Sequence, residues 1–157
     1  FLLPCVAPRY MYMAYKGKYK PTRPDKYQGD PTKITYRSLW ERKCMKLFDD
    51  NPNVITWASE EICIPYVSPV DGKKHRYYPD FMVELRNKTG EIETLMIEVK
   101  PFKQTKEPNK PTSGRITRRY MTEVRTFAVN NAKWKAAEEV CHERGWCFKI
   151  LTEKEIF

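Results

Sequence analysis

Apolar and polar positions alternate with two different periods along this chain, and the change of period marks the elements. From about Thr35 to Asp50 the residues Tyr36, Trp40, Cys44, Leu47 and Phe48 recur on one face at helical spacing. Asn51-Pro52-Asn53 ends that helix. Val54 to Trp57 is short and apolar. Glu61 to Val67 reads as a strand, and Ser68-Pro69-Val70-Asp71-Gly72 as a turn. Arg76 to Leu85 and Glu91 to Val99 follow as two more strands. Residues 101–114, full of Pro, Lys, Thr and Gly, form a loop. Arg115 to Phe127 and Asn131 to Arg144 read as two helices, the second closed by Gly145. Trp146 to Leu151 is a last strand, and Thr152 with Glu155 matches a capping box for a final turn. The order is helix, three antiparallel strands, helices, strand: an α/β (α+β) domain over residues 35–157. Residues 1–34 precede it, of which 14–33 form a basic, extended arm, irregular or ordered on a partner.

The two central strands carry charge where burial is expected. Between them, Lys88-Thr89-Gly90 fits a hairpin loop with glycine at its left-handed position. Pairing Asn87 with Glu91 then sets Asp80 opposite Glu98 on one face, and Lys100, two residues on, shares it. On the same strand Leu95, Ile97 and Val99 share the opposite face. Like charges directly opposed across a sheet destabilise it. Either the pair faces solvent with Lys100 as its ion-pair partner, or a divalent cation explains it. Oxygen ligands of this kind suit Mg²⁺, and equally Mn²⁺. Pro79 and Pro101 limit both strands on the same side, where a substrate can approach.

Composition bounds the rest. At 157 residues and 41% hydrophobic content, the chain is long enough for one domain with its own core. No apolar run is long enough for a membrane span. Phe1 to Tyr12 has no basic leading region and is broken by Pro4 and Pro8, so it does not read as a signal peptide; Met11 and Met13 offer natural starts, which makes the first dozen residues a candidate extension. Five scattered cysteines suggest reduced thiols, and Cys141-His142 with Cys147 lacks a second pair for a zinc site. The net charge of +9 favours a polyanionic partner. Lys103, Lys106, Lys110, Arg115, Arg118 and Arg119 cluster beside the carboxylates as candidate backbone-phosphate contacts. Tyr15, Tyr19 and Tyr27 in the arm either stack on bases or pack on the domain.

Pro79-Asp80 followed by Glu98-Val99-Lys100 resembles the PD-(D/E)xK motif of the metal-dependent nuclease superfamily, and the element order resembles its restriction-endonuclease-like αβββαβ core. The size and layout resemble the head-completion nucleases of T-even-like tailed phages, and the run from Trp134 through Glu153 resembles the transposase endonuclease branch. The resemblance implies metal ligands at Asp80 and Glu98 and at the Val99 carbonyl, with Lys100 beside the attacking water. It implies a further carboxylate at Glu41, in Ser38-Leu39-Trp40-Glu41, where a capping box with Ser38 is the competing reading. It assigns nothing to Asn130 or Lys133. The implied activity is Mg²⁺-dependent hydrolysis of double-stranded DNA. The implied setting is the phage head, in the virion and host cytoplasm, with portal or neck proteins as partners. A structural head or neck protein and a transposase-type endonuclease subunit are the alternatives.

Overall fold

A computed structural model describes residues 15–157. The candidate extension and Cys5 lie outside these residues. In chain order the elements are β1 (Gly17–Lys18), β2 (Thr35–Tyr36), α1 (Leu39–Asp50), β3 (Val54–Ser59), β4 (Ile64–Val67), β5 (Lys74–Tyr77), β6 (Phe81–Arg86), β7 (Ile92–Val99), α2 (Arg118–Arg144), β8 (Cys147–Leu151) and α3 (Glu153–Ile156). The central sheet has the order β3-β6-β7-β8, antiparallel except for the parallel β7–β8 pair. It is a mixed sheet with helices on both faces, consistent with a restriction-endonuclease-like fold.

Four expectations change. The first sheet strand is Val54–Ser59, while the stretch read as the strand Glu61 to Val67 pairs with Lys74–Tyr77 in a separate hairpin. The expected strand from Arg76 to Leu85 is two strands, because Tyr78-Pro79-Asp80 breaks it. The two late helices are one, Arg118–Arg144. Nothing in Ala128-Val129-Asn130 stops a helix: no glycine or proline interrupts the hydrogen-bond ladder. The early helix begins at Leu39, later than expected, because Ser38 caps it and Thr35-Tyr36 pairs instead with Gly17-Lys18.

Alternation along β7 feeds two cores. Leu95, Ile97 and Val99 join Trp40, Phe48, Trp57 and Phe81 on the α1 side. Met96 joins Trp134, Ala137 and Cys141 of α2 on the other. Burying both faces explains why this strand is nearly continuous in apolar residues after Thr94. The α2 helix ends as the sequence predicts, with Gly145 left-handed at φ 69°. Thr152 and Glu155 form the expected capping box.

The basic arm is irregular but integral. Tyr27 stacks edge-on against Trp57 at 4.8 Å, and Tyr19 at 6.0 Å, so these two tyrosines are core residues and not base-stacking platforms. Tyr15 is exposed. Two buried polar groups tie the arm to α1. Asp49 accepts hydrogen bonds from Tyr19 Oη (2.8 Å), the Thr22 amide (3.0 Å) and Trp57 Nε1 (2.9 Å). Lys26 donates to the carbonyls of Asp49 (3.0 Å) and Asn51 (2.8 Å), placing a buried cation at the negative end of the α1 dipole. Asp49→Ala strands the indole, phenol and amide donors together. It is expected to cost roughly 3 kcal/mol in urea unfolding; a loss within about 0.5 kcal/mol of zero would mean the arm is not anchored there.

Candidate active site

The hairpin forms as the turn chemistry requires. Asn87 and Glu91 pair, and Gly90 is left-handed at φ 85°. The pairs run from Arg86 with Ile92 to Phe81 with Ile97 without a slip. One residue beyond, the same register sets Asp80 against Glu98. Neither faces open solvent: Glu98 is 4% exposed and Asp80 is partly buried.

Each carboxylate is held by identifiable partners. Asp80 Oδ2 accepts the Val99 amide hydrogen at 2.7 Å, so Val99 enters the site through its N–H. Glu98 Oε2 accepts from Tyr77 Oη at 2.6 Å, and Glu98 Oε1 lies 3.2 Å from Lys100 Nζ. Burial pushes the Asp80 carboxyl well up, and the charges of Glu98 and Glu41 push it further. Burial also raises Glu41 and, with Glu98 beside it, the Tyr77 phenol.

Glu41 belongs both to the start of α1 and to the cleft. Its backbone N–H donates to Ser38 Oγ at 3.1 Å, the cap predicted from sequence. Its carboxylate reaches past Ser38 to the Arg37 amide at 2.8 Å, yet still borders the cleft that holds Asp80, Glu98 and Lys100. That cleft, about 520 Å³, therefore gathers all four side chains the sequence singled out. The donors are all oxygen, two of them opposed carboxylates, which fits a hard divalent cation completed by water. Among the described residues, no three carboxylate, cysteine or histidine side chains converge into a ready-made cage. The Ser38 hydroxyl and the Arg37 amide engage Glu41, the Val99 amide engages Asp80, and Tyr77 engages Glu98.

The sequence missed five lining residues: Tyr77, Tyr78, Glu60, Arg37 and Arg76. Tyr77 was hidden by reading residues 76–85 as one strand. Glu60 is left-handed at φ 54°, a conformation unusual for a residue with a side chain, and pairs with Arg37 at 3.2 Å. No local signal in Ser59-Glu60-Glu61 announces that backbone. Lys133, unassigned from sequence, also borders the cleft, its ammonium 5.7 Å from the Tyr77 ring centre. Of the six basic candidates, Lys103, Lys106 and Arg119 line a neighbouring cleft. Lys110, Arg115 and Arg118 are exposed outside both clefts.

Comparison with known proteins decides the family. Residues 51–153 match the family of TnsA-like endonuclease N-terminal domains. The chain is 44% identical over 143 residues to a head completion nuclease of Enterobacteria phage T4, covering 90% of this chain and 93% of that protein. The chain belongs to this endonuclease family. The nuclease carries Asp80, Glu98 and Lys100 inside the matched span, whereas Glu41 precedes it. Its resemblance to this family was legible from the motif and the closing helix and strand.

The opposed carboxylates give the nuclease a measurable signature. Without metal at neutral pH, Asp80→Asn is expected to raise stability by about 1 kcal/mol, because the amide oxygen can still accept from Val99 while one buried charge disappears. The sign with pH follows from the raised Asp80 pKa. The cost to the folded state is complete above that raised value and gone below the ordinary carboxylate range, so the gain from Asn shrinks as pH falls. Thermal melting in EDTA across pH tests this; no gain at neutral pH would mean Lys100 already cancels the repulsion.

Proposed function

We propose that this nuclease is a metal-dependent DNA endonuclease that acts in completing phage heads, on packaged DNA or its ends. The observation that carries the reading is the gathering of Glu41, Asp80, Glu98 and Lys100 in one cleft at the end of β7. The name of the T4 relative supports the phage setting. In that setting the protein works in the virion and the host cytoplasm, with double-stranded DNA as substrate and portal or neck proteins as neighbours.

Asp80 and Glu98, with Glu41, would hold Mg²⁺ or Mn²⁺, and the Val99 carbonyl is a fourth candidate donor. Such a cation, when bound, supplies Lewis acidity at the phosphoryl oxygens and a more acidic water. The protein's own groups do the rest. Tyr77 orients Glu98 through its short hydrogen bond. The Val99 amide fixes the rotamer of Asp80. Lys100 sits 3.2 Å from Glu98, where its ammonium can exchange that carboxylate for a substrate phosphate and stabilise the charge that develops there. Exposed Lys110, Arg115 and Arg118 add sequence-independent phosphate contacts, which weaken as salt rises.

The test is cleavage of linear and circular plasmid DNA with Mg²⁺, Mn²⁺ or EDTA. The wild type is expected to cut both forms only with metal. Asp80→Ala and Lys100→Ala should each lose on the order of a hundredfold or more in rate. Salt-sensitive DNA binding without any cutting would instead assign the chain a structural role in the head.

A further inference from the structure

The second cleft lies beside the first along α2. It has a volume of about 370 Å³ and is bordered by Lys103, Lys106, Arg119, Glu123, Phe127 and Asn130, among others. Asn130 stands one turn before Lys133 of the active-site cleft, so the same helix lines both. Asn130 is only 7% exposed, and its carboxamide makes no hydrogen bond among the described residues. Because Asn130 lines the cleft, that carboxamide opens into it and is free to take a hydrogen-bonding ligand there. Phe127, half-buried one turn earlier, offers an apolar surface in the same cleft.

The charge pattern selects the class of ligand. Arg119 is already paired with Glu123 at 3.1 Å, so the cleft is not a pure phosphate cradle. Lys103 and Lys106, both exposed, supply cations at its border. A polar, hydrogen-bonding, flat group inside and an anion at the border describe a nucleotide: base within, phosphates outside. The carboxamide can donate and accept together, as required to pair with a base edge. An aromatic face stacks on any base. A base inside a duplex cannot reach such a cleft, because it is stacked and paired.

We infer that the cleft between Lys106 and Asn130 captures one unpaired nucleotide of the substrate strand beside the cutting site. This rests on the reading of the chain as a DNA nuclease and narrows its substrate to DNA with a single-stranded end, flap or frayed junction. Asn130 reads the base edge, Phe127 stacks on the base, and Lys103 and Lys106 hold the flanking phosphates.

Fluorescence anisotropy in EDTA tests this with a blunt duplex and the same duplex carrying a short 5′ or 3′ overhang. The wild type is expected to bind an overhang form about tenfold more tightly. Asn130→Asp, of nearly unchanged size, and Phe127→Ala should both erase that preference while leaving blunt-duplex affinity within about twofold. Melting curves check that each variant is folded, and the wild-type comparison stands without either. Equal wild-type affinity for blunt and overhang DNA overturns the inference but leaves the nuclease reading intact, as does a preference that survives in both folded variants. Failure of the wild type to bind or cut any DNA overturns both.

Discussion

Two like charges forced side by side are the constraint on which the rest of this structure turns. The register of β6 and β7 leaves Asp80 and Glu98 no way to avoid each other, since a one-residue slip would turn Leu95, Ile97 and Val99 out of the α1-side core and bring Met96 and Glu98 into it. The apolar cores on both sides therefore hold the repulsion in place. What the hairpin opposes, the surroundings soften: a backbone N–H for Asp80, a phenol and an ammonium for Glu98. The site is a strained arrangement inside a well-packed frame, the usual relation between function and stability.

The frame extends further from the carboxylates than the motif suggests. Asp49 and Lys26 lock the arm against the last turn of α1, and α1 presents Glu41 from its first turn. The loop after Lys100 is pinned in turn by the C-terminus. The Phe102 amide donates to Glu153 at 2.8 Å, and Lys154 lies 3.3 Å over the Phe102 ring. Both ends of the described structure thus brace the elements around the carboxylates.

The parts of this architecture that were legible in the sequence are those governed by local rules. Gly90 fixed a turn, the turn fixed a register, and the register joined Asp80 to Glu98 across a gap of eighteen residues. The caps at Ser38, Gly145 and Thr152 were readable for the same reason. What escaped was decided by tertiary competition. Val54 to Trp57 read only as a short apolar stretch, yet Val54–Ser59 pairs with β6, and its Trp57 packs beside Phe81 in the core. For Tyr19 and Tyr27 the sequence left base stacking and packing on the domain both open, and Trp57 decides for packing. Tyr77 and Glu60 reach the site through a strand break and a left-handed residue, neither of which a hydrophobic pattern encodes.

The unbroken α2 helix has a mechanical consequence. At about 1.5 Å per residue it is a rod some 40 Å long, without glycine or proline along its length to act as a hinge. Lys133 and Asn130 sit on that rod at a fixed interval. Had the segment been two helices with a joint near Asn130, the distance between the clefts could vary with every bend. As one rod it keeps the two clefts at a constant separation, whatever occupies either of them.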